Sequence, residues 1–282
     1  MSRSAVKKPR RPARPFDKYE LYHRAVQSAE TDVEFFRKTY RQLRKSTARI
    51  LREDFCGTFA LSCEWLKLNP RHLAVGVDLD SEPIEYGKGQ LKSRRITDSD
   101  LHRLKLIQAN VLSETLPAAD IVVAMNFSYF IFLQRVELKK YFANVRRGLR
   151  RNGLFLLDIF GGSDCYDANE ENTVFRKGRG ASRRHEFTYF WEQEAFDPVS
   201  NRATFHIHFK RRREAKRAKV FTYDWRMWSI PEVRDLLEEV GFRKTHVYWE
   251  GTNSRGRGNG EFRRLQKGEA CQSWIAYIAA EK

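Results

Sequence analysis

Five short apolar runs alternate with helical segments along residues 48–160, and this alternation constrains the fold more than any other feature. The runs read ARIL, LAVGVDL, LKLIQA, DIVVAM and GLFLLDIF. Two further strand patterns, FRKTHVYWE and CQSWIAYIAA, occur near the C-terminus. Strands that alternate with helices indicate a parallel sheet with helices on both faces. The sequence therefore predicts a doubly wound α/β fold.

A different pattern interrupts this alternation between residues 163 and 228. HEFTYFWEQEAF and RATFHIHFK read as two strands around a short turn. We expect residues 163–228 to form an inserted, antiparallel β-rich cap, and residues 17–162 and 229–282 to form the main domain.

Two further features refine this organisation of the chain. Phe187, Tyr189 and Trp191 alternate to one face of the first cap strand, where they either line a substrate pocket or pack on the main sheet. GTNSRGRGNGEFRRLQKG, before the last strand, reads as a loop because of its glycine and arginine content.

The chain of 282 residues has a globular composition but an unusual charge. Hydrophobic residues make up 41% of it, and the formal net charge is +17. This charge favours nucleic acid, acidic membranes or anionic small molecules as partners, although it also serves solubility. Residues 1–16 are expected to be a disordered basic tail, and the run KRRREAKRAK at 210–219 either a solvated segment or a phosphate-binding one.

Cysteine usage and hydropathy bear on the compartment. The four cysteines form no CxxC pair, which favours a reducing environment. The most apolar run, residues 121–133, is too short to span a membrane, and there is no apolar signal core near the N-terminus. We therefore expect a cytoplasmic protein with no membrane partner.

LREDFCGTFALS, residues 51–62, reads as a strand, a turn and a helix, where nucleotide-binding sheets carry a glycine-rich loop. Its only glycine is Gly57, so neither the G-x-G-x-x-G pyrophosphate pattern nor a P-loop is present. The second strand ends at Asp78, which is 21 residues after Gly57 (78 − 57) and close to the roughly 20 residues at which an acid reaches the ribose hydroxyls. We infer a nucleoside ligand that has no phosphates.

The loop and the segments that follow it resemble the class I S-adenosylmethionine-dependent methyltransferases. The matching segments are VGVDLDSEPIEYG, IQANVLSETLP, ADIVVAMNFSYF, LRRNGLFLLDIFGG and LLEEVGFRKTHVYWEG, in family order. The family loop has an acid, a hydrophobe and G-x-G-x-G, whereas Phe55 and Phe59 stand at the outer glycine positions here. The resemblance implies a Rossmann-like seven-stranded sheet, mostly parallel with an antiparallel last strand, and S-adenosylmethionine as the cofactor.

The resemblance also implies a set of cofactor-binding residues. They are Tyr19, Tyr22, Glu53, Cys56, Gly57, Thr58, Asp78, Leu79, Asn110, Val111, Asn126 and Phe127. Glu53 and the Cys56–Thr58 turn would line the methionine part of the cofactor. Tyr19 and Tyr22 either close over it or pack against the fold.

The remaining residues of the set follow later strands. Asp78 would bind the ribose, Leu79 would pack beside the adenine, and Asn110 would contact the adenine amine. Asn126 and Phe127 would edge the methyl donor.

Three alternative interpretations concern single residues. Asn126–Tyr129, NFSY, is similar to the [DN]-P-P-[YF] motif of enzymes that methylate amines of adenine or glutamine, which makes Asn126 and Tyr129 candidate catalytic residues; a generic loop is the alternative. Cys56 is either a nucleophile at a helix N-terminus or a small residue in a tight turn. His185, His206 and His208 give no complete ligand set, so we predict no metal site.

The favoured hypothesis is S-adenosylmethionine-dependent methyl transfer, by direct displacement, to an O or N nucleophile of a small molecule. One alternative is a methyltransferase that acts on amines of RNA, DNA or protein through the basic surface. Another is a non-catalytic binding protein that keeps the fold.

Overall fold

The computed structural model describes residues 15–178, 183–252 and 258–282. The predicted basic tail lies outside the described residues except for Pro15 and Phe16. The helices of the described chain are α1 (Lys18–Val26), α2 (Ala29–Arg44), α3 (Ala60–Leu68), α4 (Ser81–Gly89), α5 (Asp98–Leu101), α6 (Arg135–Gly148) and α7 (Ile230–Glu239). Within those same residues, no helix is both long and apolar enough to cross a membrane.

Twelve strands form two separate sheets in the described part of the chain. The strands of the main sheet are β1 (Ile50–Asp54), β2 (Leu73–Asp78), β3 (Leu104–Gln108), β4 (Ala119–Ala124), β5 (Leu149–Gly161), β10 (Lys244–Thr252), β11 (Gly258–Leu265) and β12 (Trp274–Glu281). The strands of the second sheet are β6 (Asn169–Lys177), β7 (Arg184–Asp197), β8 (Arg202–Arg211) and β9 (Arg217–Arg226).

The main sheet confirms the doubly wound α/β prediction. Its strand order is β11-β10-β12-β5-β4-β1-β2-β3, with β1 to β5 parallel and β12 antiparallel to both of its neighbours. Because β1 pairs with both β2 and β4, the chain winds in opposite directions from this point. Ligands of open α/β sheets bind at such a switch point, at the carboxyl ends of the strands.

The described sheet has eight strands rather than the expected seven, because part of the segment assigned to a loop is a strand. Residues 258–265 pair antiparallel with β10 as β11. Phe262 anchors this strand, since its ring stacks on Tyr277 with the ring centroids 4.1 Å apart. Residues 253–257 of the predicted loop lie outside the described residues.

Each face of the main sheet is covered by helices, which explains why its central strands are buried on both faces and rich in apolar residues. One face packs on α6 and α7 through residues such as Phe142 and Leu236. The opposite face packs on α2 and α3 through residues such as Phe36 and Trp65.

The second sheet is an antiparallel meander in the order β6-β7-β8-β9, twice the number of strands that the sequence indicated. Phe187, Ile207 and Phe209 pack against Leu21 of α1. Trp225 packs against Phe130, with the ring centroids 5.9 Å apart. These contacts hold the second sheet and α1 next to the loops that follow β1 and β4.

Candidate functional site

The loop after β1 has the backbone of a glycine-rich loop although only one of its residues is glycine. Phe55, Gly57 and Phe59 all have positive φ, at 58°, 49° and 49°. A left-handed conformation costs a non-glycine residue about 1–2 kcal/mol. Phe59 is fully buried with Cys63 in a small apolar cluster, and the Phe55 ring packs on Tyr141 at 5.5 Å. Burial of the Phe59 ring and packing of the Phe55 ring therefore offset the strain at the outer glycine positions.

Gly57 and Asp78 meet in the structure. The Gly57 N–H donates to Oδ2 of Asp78 at 2.6 Å, and the Asp80 N–H donates to Oδ1 at 2.9 Å. A Cβ added to Gly57 would find no atom within 4 Å. The turn is thus fixed by the carboxylate while its glycine faces open space.

This open space is a cavity of about 280 Å³ at the carboxyl ends of β1, β2 and β4, which we call the loop pocket. It is covered by α1 and by Phe221, Tyr223 and Trp225 of β9. Seven of the sequence-derived cofactor residues line it: Tyr19, Tyr22, Cys56, Gly57, Thr58, Asp78 and Asn126.

Helix α1 is tied to the loop by a polar network. The Thr58 hydroxyl lies 2.6 Å from Nε2 of His23, and Arg94 donates to the same His23 nitrogen at 2.9 Å and to Oγ1 of Thr58 at 3.0 Å. Burial, helped by the Arg94 charge, lowers the pKa of His23 to about 4. His23 is therefore a neutral acceptor, and the contact holds Tyr19 and Tyr22 over the pocket.

Glu53 does not line the loop pocket, contrary to the sequence-derived assignment. Its carboxylate accepts the N–H and the hydroxyl of Ser62, at 2.8 and 2.6 Å, near the start of α3. Burial raises the pKa of Glu53 to about 7. The neighbouring acid, Asp54, forms a buried ion pair with Arg52 at 2.8 Å. Both acids at the end of β1 hold the fold together behind the pocket.

The two residues expected to contact adenine lie at the same edge of the sheet but outside the wall of the loop pocket. Leu79, after β2, is 67% exposed, an unusual exposure for a leucine at a strand end. Asn110, after β3, is exposed, and its Oδ1 accepts the Leu112 N–H at 2.8 Å. Val111 is buried in the core beneath them.

Tyr129, a candidate catalytic residue in the sequence, lies in the core of the structure. Its side chain is fully buried in the core, with its ring 5.0 Å from that of Phe130 and 6.2 Å from that of Phe142. Burial raises the pKa of Tyr129 well above its usual range. Residues 128–131 form a short 3-10 helix, and the Tyr129 ring does not line the loop pocket.

A larger cavity of about 620 Å³ lies between the two sheets, and we call it the intersheet cavity. Tyr22, Asn126 and Trp225 line both this cavity and the loop pocket. Tyr189 and Trp191 line it as well, whereas Phe187 packs against Leu21 of α1. Phe127 is at the edge of this cavity rather than of the loop pocket.

Asp158 in β5 and Asp32 in α2 line the intersheet cavity, and sequence reasoning missed both. Asp158 accepts the N–H groups of Asn126 and Phe127 at 2.7 and 2.8 Å, and these two residues have positive φ. Burial raises the pKa of Asp158 to about 7 and that of Asp32 to about 6. An acid inside the apolar run LFLLDIF was the available signal for Asp158.

Cys56 and the histidines of the second sheet have structural environments. Burial, followed by the charges of Glu53 and Asp78, raises the pKa of Cys56 far above its usual range, which excludes a reactive thiolate. His206 pairs with Glu194 at 2.7 Å, and His208 with Glu192 at 2.7 Å.

In the described chain, one group could hold a metal ion by geometry alone: Glu170, Glu192 and His208. Nδ1 of His208 accepts the Lys219 N–H at 2.7 Å, so Nε2 carries the proton shared with Glu192. Lys216 already pairs with Glu170. Protein cations and protons thus satisfy these groups.

The fold, with its switch point and the loop after β1, is similar to that of S-adenosylmethionine-dependent methyltransferases of known structure. CalS10, an amino pentose methyltransferase from Micromonospora echinaspora, is similar over 97% of this chain and 100% of its own, with a TM-score of 0.65 and 13% identity. A S-adenosylmethionine-dependent methyltransferase from Clostridium acetobutylicum is similar over 93% of this chain and 96% of its own, with a TM-score of 0.64 and 16% identity.

The sugar N-methyltransferase KedS8 from a Streptoalloteichus species is similar over 98% of both chains, with a TM-score of 0.59 and 17% identity. No protein-family model matches the chain, and no curated protein matches it by sequence. At these identities the similarity establishes the fold.

Proposed function

We propose that the protein is an S-adenosylmethionine-dependent methyltransferase that acts on a small molecule. The observation that carries this proposal is the shared wall of the two cavities. Tyr22, Asn126 and Trp225 line both the loop pocket and the intersheet cavity. A group bound in one cavity therefore borders a group bound in the other, as transfer between two ligands requires.

The loop pocket fits the nucleoside part of the cofactor. Gly57 leaves its side-chain position open, and each oxygen of Asp78 accepts one backbone N–H, which leaves a lone pair on each for a ribose hydroxyl. Leu79 and Asn110 lie at the same edge of the sheet as Asp78, and we assign them to contacts with the adenine. Cys56, Gly57 and Thr58 line the part of the pocket nearest α3, where we assign the methionine part.

When bound, S-adenosylmethionine supplies an electrophilic methyl group whose leaving group, a thioether, is already activated. The residues of the protein then have three tasks, which are to orient the acceptor, to exclude water and to hold a proton where the acceptor must lose one. Tyr22 and Trp225 exclude water from the shared wall. Asp158, beside Asn126, is the group that can take a proton there.

A small acceptor is favoured because the second sheet covers the intersheet cavity. Its volume of about 620 Å³ falls within the roughly 300–1,000 Å³ of pockets for small ligands. CalS10 and KedS8 are described as amino pentose and sugar N-methyltransferases. We accordingly retain residues 163–228 as a proposed substrate cap on a methyltransferase domain formed by residues 17–162 and 229–282.

Calorimetry of the full chain with S-adenosylhomocysteine tests the proposal. We expect binding in the micromolar range, weakened about tenfold or more in Asp78→Asn, since one neutral amide replaces a charged acceptor of two hydroxyls. Asp235→Asn, a matched change at an exposed residue of α7, should bind like the parent. Absence of binding at about 1 mM ligand would refute the proposal.

A further inference from the structure

The intersheet cavity is acidic, although the protein as a whole is strongly basic. Asp32, Asp158, Glu171 and Glu250 line it, and none of the described residues that line it is a lysine or an arginine. The chain carries 53 lysines and arginines against 36 acids. A cavity wall that carries only negative charges favours positively charged ligands, because low-dielectric walls strengthen the field inside a cleft.

Two carboxylates of this cavity, the buried Asp158 and the half-buried Asp32, have no cationic partner among the described residues. Asp158 is bonded by two backbone N–H groups, and Oδ1 of Asp32 accepts the Tyr277 hydroxyl at 2.7 Å. Buried carboxylates are normally paired, since an isolated charge is costly to desolvate. A cation that enters with the ligand would supply the missing partner.

The rest of the wall is aromatic, which also suits a cation. The ring centroids of Trp191 and Trp225 are 6.0 Å apart, and Phe160 lies 6.4 and 6.2 Å from them. Aromatic faces attract ammonium groups through their quadrupole. The indole N–H of Trp225 is buried, and it has no hydrogen-bond partner among the described residues. Because Trp225 lines the cavity, an oxygen atom of the ligand next to this N–H would satisfy it.

We infer that the methyl acceptor is an amine that enters the intersheet cavity as an ammonium ion and carries an oxygen atom near its nitrogen. This inference rests on the proposed methyltransferase function. It identifies Asp158 as the group that receives the proton of the amine. Asp32 is a second negative charge that attracts the ammonium ion.

The reaction balances with these groups. The bound ammonium gives a proton to the Asp158 carboxylate, which frees the nitrogen lone pair. That pair forms the new C–N bond with the methyl carbon as the C–S bond breaks, and the electron pair of the C–S bond stays on sulfur. Because the Asn126 N–H donates to Asp158 at 2.7 Å and Asn126 also lines the loop pocket, the base stands at the junction of the two cavities.

Three matched cyclohexane probes test the inference: 2-aminocyclohexanol, 1,2-cyclohexanediol and 2-hydroxycyclohexanecarboxylate. Their binding to the full chain is measured by calorimetry with S-adenosylhomocysteine present. We expect the amine to bind at least about tenfold more tightly than the diol and the carboxylate. Asp158→Asn and Asp32→Asn should each reduce this preference about tenfold or more, while Asp235→Asn should keep it.

The same titrations separate this inference from the proposed function. S-Adenosylhomocysteine should bind the Asp158 and Asp32 variants within about threefold of the parent, which also shows that they are folded. If S-adenosylhomocysteine binds but the diol or the carboxylate binds as well as the amine, the amine inference is overturned and the methyltransferase proposal stands. An amine that does not bind at about 10 mM, or a preference that survives both substitutions, also overturns it. If S-adenosylhomocysteine fails to bind the parent, the proposed function is refuted and the inference falls with it.

Discussion

The loop pocket and the intersheet cavity share a wall, but they come from the sequence in different ways. In the loop pocket, the groups that we assign to the cofactor come from two short segments, the β1 loop around Gly57 and the end of β2 at Asp78, and α1 and β9 cover them. The intersheet cavity gathers side chains from distant elements, among them Asp32 of α2, Asp158 of β5 and Trp191 of β7. A local backbone feature thus binds the proposed cofactor, whereas tertiary packing creates the proposed acceptor site. Substitutions should therefore separate the two functions.

The largest effect is expected on the rate of methyl transfer, for a substitution in the intersheet cavity. Asp158→Asn should slow methyl transfer to an amine about 10²–10⁴-fold, the usual contribution of a general base. With a pKa of about 7, the carboxylate of the parent is protonated below that pH, so kcat/KM should fall about tenfold for each pH unit under 7. Burial is the main cause of this raised pKa, and the charge of Asp32 raises it further.

A pH–rate profile of the parent and of Asp158→Asn checks this prediction. The acidic limb should disappear in the variant, while the dissociation constant of S-adenosylhomocysteine stays within about threefold of the parent value. If the variant keeps the acidic limb of the profile, another group accepts the proton.

The complementary substitution acts on the loop pocket. Gly57→Ala should weaken S-adenosylhomocysteine binding about 100-fold, because its Cβ would project into the open space of the pocket. Its left-handed φ of 49° should add about 1–2 kcal/mol of destabilisation. Gly89→Ala is the matched control, since a Cβ there also meets no atom within 4 Å but Gly89 lies outside both cavities. Equal binding by the two variants would remove the loop pocket from the cofactor site.

The same contrast explains what the sequence could and could not predict. Strand and helix periodicities are local, so the doubly wound sheet and the presence of a β-rich insertion followed from the chain alone. Gly57 and Asp78 followed from their spacing within one strand–helix–strand unit. Strand β11 did not, because its glycine and arginine content resembles a loop and its stability comes from Phe262 packing on Tyr277.

Other features depend on contacts between distant segments and therefore escaped sequence reasoning. Phe55 and Phe59 keep glycine-like φ values because the Phe59 ring is buried and the Phe55 ring packs on Tyr141. Tyr129 follows a site-like motif but turns into the core. Asp158 becomes part of a site when the cap and α2 close around the end of β5.

An intermediate effect is expected on the free energy of unfolding, for a substitution in the intersheet cavity. The folded-state pKa of Asp32 is about 6, above the ordinary value of 3.8. Folding therefore favours its protonated form, and this contribution is fully present below pH 4 and is lost as the pH rises through 6. Asp32→Asn should raise the free energy of unfolding at pH 8 by about 1–3 kcal/mol.

Denaturant titrations at pH 4 and pH 8 measure this effect. The gain of Asp32→Asn should nearly vanish at pH 4, where the parent carboxyl is already neutral. A loss of stability at both pH values would mean that the ionised carboxylate supports the fold. Asp235→Asn should show neither change.

A smaller effect is expected at the shared wall itself. Trp225→Phe keeps an aromatic ring but removes the indole N–H that has no partner among the described residues. We expect binding of 2-aminocyclohexanol to weaken about threefold to tenfold, as for one hydrogen bond, with little change for S-adenosylhomocysteine. Trp249→Phe, which packs on Trp274 away from the cavity, is the control. A change confined to S-adenosylhomocysteine would place this donor on the cofactor side.

The smallest effect is expected from the basic run at residues 210–219, which bears on RNA as an alternative acceptor. The run joins β8 to β9, and Arg211, Lys216 and Lys219 already pair with Glu214, Glu170 and Glu194. The double variant Lys210→Gln and Arg213→Gln should leave amine methylation within about twofold of the parent. A polynucleotide acceptor would instead release counterions from these cations, so its methylation should fall in the variant and with added salt. Because phosphates would also have to approach the carboxylates of the intersheet cavity, we expect no methylation of RNA by either protein.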